Sequence, residues 1–132
     1  IFSFSYTACN NSSSQPIKLN VDKCDYCAMT IADGRFGAEL ISEKGRCYKF
    51  DDLVCLINYK KEKTAVAYKI FFVNDYIANN QLIDASKAFY VQNENLRSPM
   101  GGNYAACLNQ DKAIEFAKKQ SALVQTWNEV SE

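Results

Sequence analysis

The sequence predicts an α+β fold of two small ββαβ lobes packed together by internal duplication. Three observations predict it. Signals for strand, strand, helix and strand follow one another twice, in units of about 50 residues. The chain has 132 residues, 48% of them apolar, which suffices for one modest core. A three-stranded unit with a single helix also covers its own sheet poorly, so two such units must pack together or share a sheet. On this reading residues 1–22 precede the globular part, 23–80 form the first lobe and 81–132 the second.

Each element carries its own signal. The run RFGAELIS, residues 35–42, alternates so that Phe36, Ala38 and Leu40 share one face, as in a strand. EKG makes a turn, and RCYKF, residues 46–50, returns as the second strand. Asp51 or Asp52 then caps a helix in which Phe50, Leu53, Val54 and Ile57 follow the i, i+3, i+4, i+7 spacing, and KKEK closes it. AVAYKIFFV, residues 65–73, is nearly continuous in apolar, β-branched and aromatic character and reads as a central strand. After a polar connection, KAFYVQN (87–93) and NYAACL (103–108) read as strands. DKAIEFAKKQ (111–120) reads as a helix and ALVQTW (122–127) as a last strand.

Composition narrows the chemistry. Lys plus Arg and Asp plus Glu both number 15, so the net charge is zero and no nucleic-acid-binding field arises. His is absent, which removes the usual general base and the commonest metal ligand. Six Cys remain, and sulfur chemistry is where function should lie.

The first residues, IFSFSYTACN, read as the end of a secretory signal, apolar and then small, with a polar NNSSSQ run after Cys9. Tyr6-Thr7-Ala8-Cys9 matches a bacterial lipobox, although Tyr6 stands where Leu is usual. Cys9 is therefore expected to carry lipid and to anchor the protein to a membrane through a flexible tether, since no apolar run approaches the roughly 20 residues that span a bilayer. Five Cys are then left in an oxidising compartment, an odd set that a plain disulfide framework does not use up.

CDYCAM places Cys24 and Cys27 in a C-x2-C pair with Met29 two residues on. Such a pair can grip a soft ion or form a redox disulfide. A thioether is a poor donor to zinc and a good one to Cu(I). Cys27 and Met29, at i and i+2 of an extended segment, would form a two-sulfur pincer needing one more ligand. The other methionine, Met100, sits in the turn-forming RSPMGG, away from any periodic apolar run. Plain burial under loops is the alternative for both methionines. Cys24, Cys27 and Cys55 also resemble a treble-clef set, a knuckle plus the first turn of a helix, suited to zinc or Cu(I). Cys47 and Cys107 hold matching places in the two return strands and read as core residues or a pair. Tyr26, Phe36 and Tyr104 lie near these motifs, where aromatic rings would shield a metal from water or simply fill core.

The ordered series CDYCAMTIADGRFGAE, YKFDDLVCL, VND, DASKAFYV, RSPMGG and TWNEV resembles the NosL family, lipoproteins that act as copper chaperones in the maturation of nitrous oxide reductase. The likeness runs from Cys24 to Val130. It implies two ββαβ lobes, Cu(I) as the bound ion, and Cys27, Met29 and Met100 as its ligands. Cys24 would be an auxiliary ligand. It further implies a non-enzymatic lipoprotein, with nitrous oxide reductase or its assembly transporter as partner; with the Cys9 lipobox, the expectation is a monomer lipid-anchored on the periplasmic side. The family's usual Cys-Gly-Met is here Cys27-Ala28-Met29, which keeps the sulfur spacing but is expected to lose any backbone angle reserved to glycine. The competing functions are a thiol-disulfide redox protein using Cys24 and Cys27, and a zinc-stabilised interaction module.

Overall fold

The structure, a computed structural model, describes residues 13–132, so Cys9 and its expected lipid lie outside the described residues. Two antiparallel sheets form the scaffold. In the first lobe β1 (Ala38–Ser42) and β2 (Cys47–Phe50) form a hairpin, α1 (Leu53–Glu62) follows, and β3 (Tyr68–Asn74) returns along the other side of β1. The second lobe repeats the plan with β5 (Phe89–Gln92), β6 (Tyr104–Cys107), α2 (Gln110–Lys119) and β7 (Val124–Gln125). In both sheets the first strand of the unit lies in the middle, giving the orders β2-β1-β3 and β6-β5-β7. A further short strand, β4 (Leu82–Asp84), pairs with β3 and extends the first sheet to four strands, although its residues follow the predicted boundary at position 80.

One core serves both lobes. Leu40, Phe50, Leu53 and Leu56 of the first join Ala88, Tyr90 and Ala106 of the second in a single buried cluster. α1 packs on β1 and β2, and α2 packs on β5, β6 and β7. A parallel bridge pairs Asp75 with Ala106 and ties the two sheets at their margins.

The last predicted strand is where local chemistry overrides propensity. ALVQTW contributes only the two residues of β7, and Trp127 opens the short helix α3 (Trp127–Val130). The carboxylate of Glu129 accepts hydrogen bonds from the backbone N–H of Thr126 at 2.8 Å and from its hydroxyl at 3.2 Å. A Thr-x-x-Glu box of this kind satisfies helix-start donors that a strand would leave to a neighbour. Helix α3 sets the indole of Trp127 between Phe71 of β3, at 5.4 Å between ring centroids, and Tyr90 of β5, at 6.0 Å.

The chain before Cys24 lies along the first sheet as a strap. The backbone N–H of Gln15 donates to Glu39 at 2.7 Å, the Lys49 ammonium to the carbonyl of Pro16, and the Asn80 amide to the carbonyl of Ile17. Lys49 also pairs with Asp22 at 2.9 Å. The covered Glu39 side chain is fully buried, and burial pushes its carboxyl group above the usual range.

Candidate metal centre

Cys24 and Cys27 sit on a tight knuckle. The backbone N–H of Cys24 donates to the carbonyl of Met29 at 2.8 Å, and that of Ala28 to the carbonyl of Cys24 at 3.0 Å. The N–H groups of Tyr26 and Cys27 point at the Cys24 sulfur from 3.5 and 3.4 Å. This segment is a turn and not the extended run that the pincer reading assumed. Ala28 has φ 68°, so it keeps the left-handed angle that was expected to disappear with glycine, at a cost of about 1–2 kcal/mol.

The first turn of α1 supplies the other half. Cys55 and Asp51 face the knuckle, and one ligand atom from each of Cys24, Cys27, Asp51 and Cys55 lies within 4.8 Å of the rest. The Asp51 carboxylate accepts from the thiols of Cys27 and Cys55, each at 3.4 Å. Cys24, Asp51 and Cys55 are buried, whereas Cys27 is half-buried and forms the accessible side. The Cys55 thiol, donating toward Cys24, holds the Cys24 thiol down to about 6, and the same interaction pushes Cys55 well up. Burial pushes Cys27 up to about 11. The hydrogen bonds among these sulfurs favour the thiolate at Cys24 over Cys27 and Cys55, and a metal ion would displace the protons the pocket still holds.

The methionines are not core plugs. Met29 is 59% exposed and Met100 46%. The Met100 loop is stiffened at its base, where Ser98 and Asn103 bond reciprocally at 2.9 and 2.6 Å. It is then tied to the other lobe by Asp52. One oxygen of the Asp52 carboxylate caps α1 by accepting from the N–H of Val54 at 3.2 Å. The other accepts from Ser98 Oγ at 2.6 Å, the N–H of Met100 at 2.8 Å and the N–H of Gly102 at 3.3 Å. Only glycine fits at 102, because a Cβ there would lie 2.6 Å from Asp52 Oδ1 and 2.9 Å from Val54 Cβ.

Adjacent carboxylates thus do separate work. Asp51 faces the sulfur cluster and Asp52 holds the Met100 loop. Capping was the role read from the sequence for one of this pair, and it falls to Asp52; the place of Asp51 among the thiols went unread. Cys47 and Cys107 are free thiols in different sheets, which excludes the paired reading, and burial pushes them up to about 12 and about 11. Of the three aromatic candidates, Tyr26 lies on the knuckle itself and bonds Glu62, whereas Phe36 packs in a separate small cluster with Leu96 and Ala105.

The NosL family model matches residues 16–132. Among solved structures, that of the copper chaperone NosL from Shewanella denitrificans is similar, with a TM-score of 0.77 and 17% sequence identity over 91% of this chain and 96% of that one. No curated protein matches the chain.

Proposed function

The chain belongs to the NosL family, and from that premise we propose that it is a Cu(I) carrier and not an enzyme. The observation that carries the reading is the gathering of Cys24, Cys27, Asp51 and Cys55 within 4.8 Å, with two exposed thioethers on adjoining segments. Soft sulfur donors suit a monovalent copper ion, which accepts low coordination numbers. In this reading Cys27, Met29 and Met100 bind Cu(I) and Cys24 assists as a thiolate. Thioethers carry no charge and bind weakly, so the ion can leave by ligand exchange with sulfur groups of an acceptor. The similar solved structure is itself a copper chaperone. Nitrous oxide reductase or its assembly transporter is the proposed acceptor, and a lipid on Cys9 the proposed anchor on the periplasmic side.

The test is anaerobic Cu(I) titration against a chromophoric chelator. Cys27→Ser should weaken binding by more than about 100-fold, beyond the loss expected for an outer hydrogen-bond partner. Met29→Ala and Met100→Ala should weaken it less and leave the fold intact. Equal affinity in all three variants and the wild type would overturn the assignment.

A second reading is favoured by Asp51 and Cys55. Three thiols and one carboxylate make a four-donor set suited to tetrahedral zinc, which would then be a resident structural ion. Metal content after purification separates the two, with tightly held zinc favouring the structural ion and exchangeable copper the carrier. The redox alternative lacks support from the thiols, since a disulfide-exchange nucleophile is an accessible thiol of lowered pKa. Here the accessible thiol, Cys27, is the raised one and the lowered one, Cys24, is buried.

A further inference from the structure

A helix cap needs one acceptor. Asp52 does more than cap α1, because its second oxygen gathers Ser98, Met100 and Gly102 from the opposite lobe while its chain neighbour Asp51 touches the thiols of Cys27 and Cys55. The carboxylate is buried, and the only space it leaves for residue 102 is that of a glycine. The backbone at Met100 is therefore fixed to Asp52, the chain neighbour of the carboxylate that touches the sulfur cluster, and the half-exposed thioether emerges from an anchored loop. We infer that Asp52 is a positioning residue, which holds the Met100 thioether at the mouth of the Cys24–Cys27–Cys55 pocket as a donor to the bound ion. The inference rests on Met100 being a Cu(I) ligand.

Asp52→Asn is the informative substitution. Asparagine caps a helix as well as aspartate does. It has one acceptor oxygen where the carboxylate has two, so it cannot serve both Val54 and the three loop donors, and its NH2 group would face donors. X-ray absorption of the Cu(I)-loaded protein should show one sulfur fewer in Asp52→Asn, with affinity down by roughly tenfold, the loss typical of a group that orients a ligand. Met100→Ala should lose the same sulfur. The double variant should bind no more weakly than Met100→Ala alone, because both changes remove one interaction. Ser98→Ala loosens the loop from its own side without touching the α1 cap, and it should also lose the sulfur even if Asp52→Asn fails to fold.

An unchanged sulfur count in Asp52→Asn or Ser98→Ala, with one sulfur lost in Met100→Ala, would make Asp52 a structural brace and overturn the inference. Additive losses in the double variant would overturn it too. If Met100→Ala itself keeps every sulfur, the ligand reading falls and takes the inference with it.

Discussion

The N-termini of α1 and α2 occupy the same place in their lobes, each just after the return strand of a hairpin, and each has a short polar cap. Asp52 accepts from the N–H of Val54 at 3.2 Å, and Asn109 from that of Lys112 at 3.0 Å. There the likeness ends. Asp51 and Asp52 are buried, while Leu108 and Asn109 are exposed. The third residue of α1 is Cys55, facing the knuckle, and that of α2 is Lys112, facing solvent. Capping tolerates solvent, but burying two neighbouring carboxylates requires further donors. In α1 those donors are thiols on one side and the loop of the other lobe on the other. The same local device thus ends one helix plainly and builds a centre at the other.

The contrast can be broken by deletion. Asp52→Ala should lower unfolding free energy by about 2–4 kcal/mol, the sum of a lost cap and stranded loop donors. Asn109→Ala should cost about 1 kcal/mol, a cap alone. Equal losses in denaturant melts would erase the difference between the two helix starts. Gly102→Ala should cost about 1–3 kcal/mol by overpacking against Asp52 and Val54, read in the same melts.

The middle strands extend the comparison. In β5 the buried positions are Tyr90 and Val91, whereas β1 buries Glu39 beneath the strap, near the Cys47 thiol and the Lys49–Asp22 pair. Burial raises the Glu39 carboxyl above its unfolded value, so the folded state holds this proton more tightly than the unfolded state does. Its contribution to stability is complete below the ordinary glutamate value and is lost as pH rises through the raised one. Glu39→Gln should flatten that part of the melting profile and gain relative to wild type toward neutral pH. A parallel profile in the two proteins would show that Glu39 does not titrate under the strap. The smallest effect belongs to the knuckle, where Ala28→Gly should add about 1 kcal/mol by relieving the left-handed alanine.

Much of this was legible in one sequence, for reasons that separate local from distant physics. Alternation located β1, helical spacing α1 and a nearly continuous apolar run β3, and β2, β5, β6 and α2 followed from strand-like and helix-like runs between turns, all signals that neighbouring residues carry by themselves. Two departures had local causes. β4 is three residues within QLIDA, too short for a period, and the Thr126–Glu129 box that begins α3 was in plain view but outweighed by the apolar run before it. The centre was legible only in halves. C-x2-C named Cys24 and Cys27, and the treble-clef likeness put Cys55 beside them. Asp51 looked like one of two interchangeable caps, since nothing local distinguishes a carboxylate that caps from one that faces sulfur. That assignment depends on which lobe's loop arrives at Asp52, a long-range contact no spacing records.

The strap has a mechanical consequence. It leads directly into the knuckle, yet it is fastened at three successive residues, Gln15 and Pro16 to β1 and β2 of the first sheet and Ile17 to the loop between β3 and β4. It works as the strain relief on a cable: tension on the polypeptide upstream of Gln15 meets Glu39, Lys49 and Asn80 first, and Lys49, whose backbone also bonds Asp25 in the knuckle, ties the same anchorage to the sulfur turn.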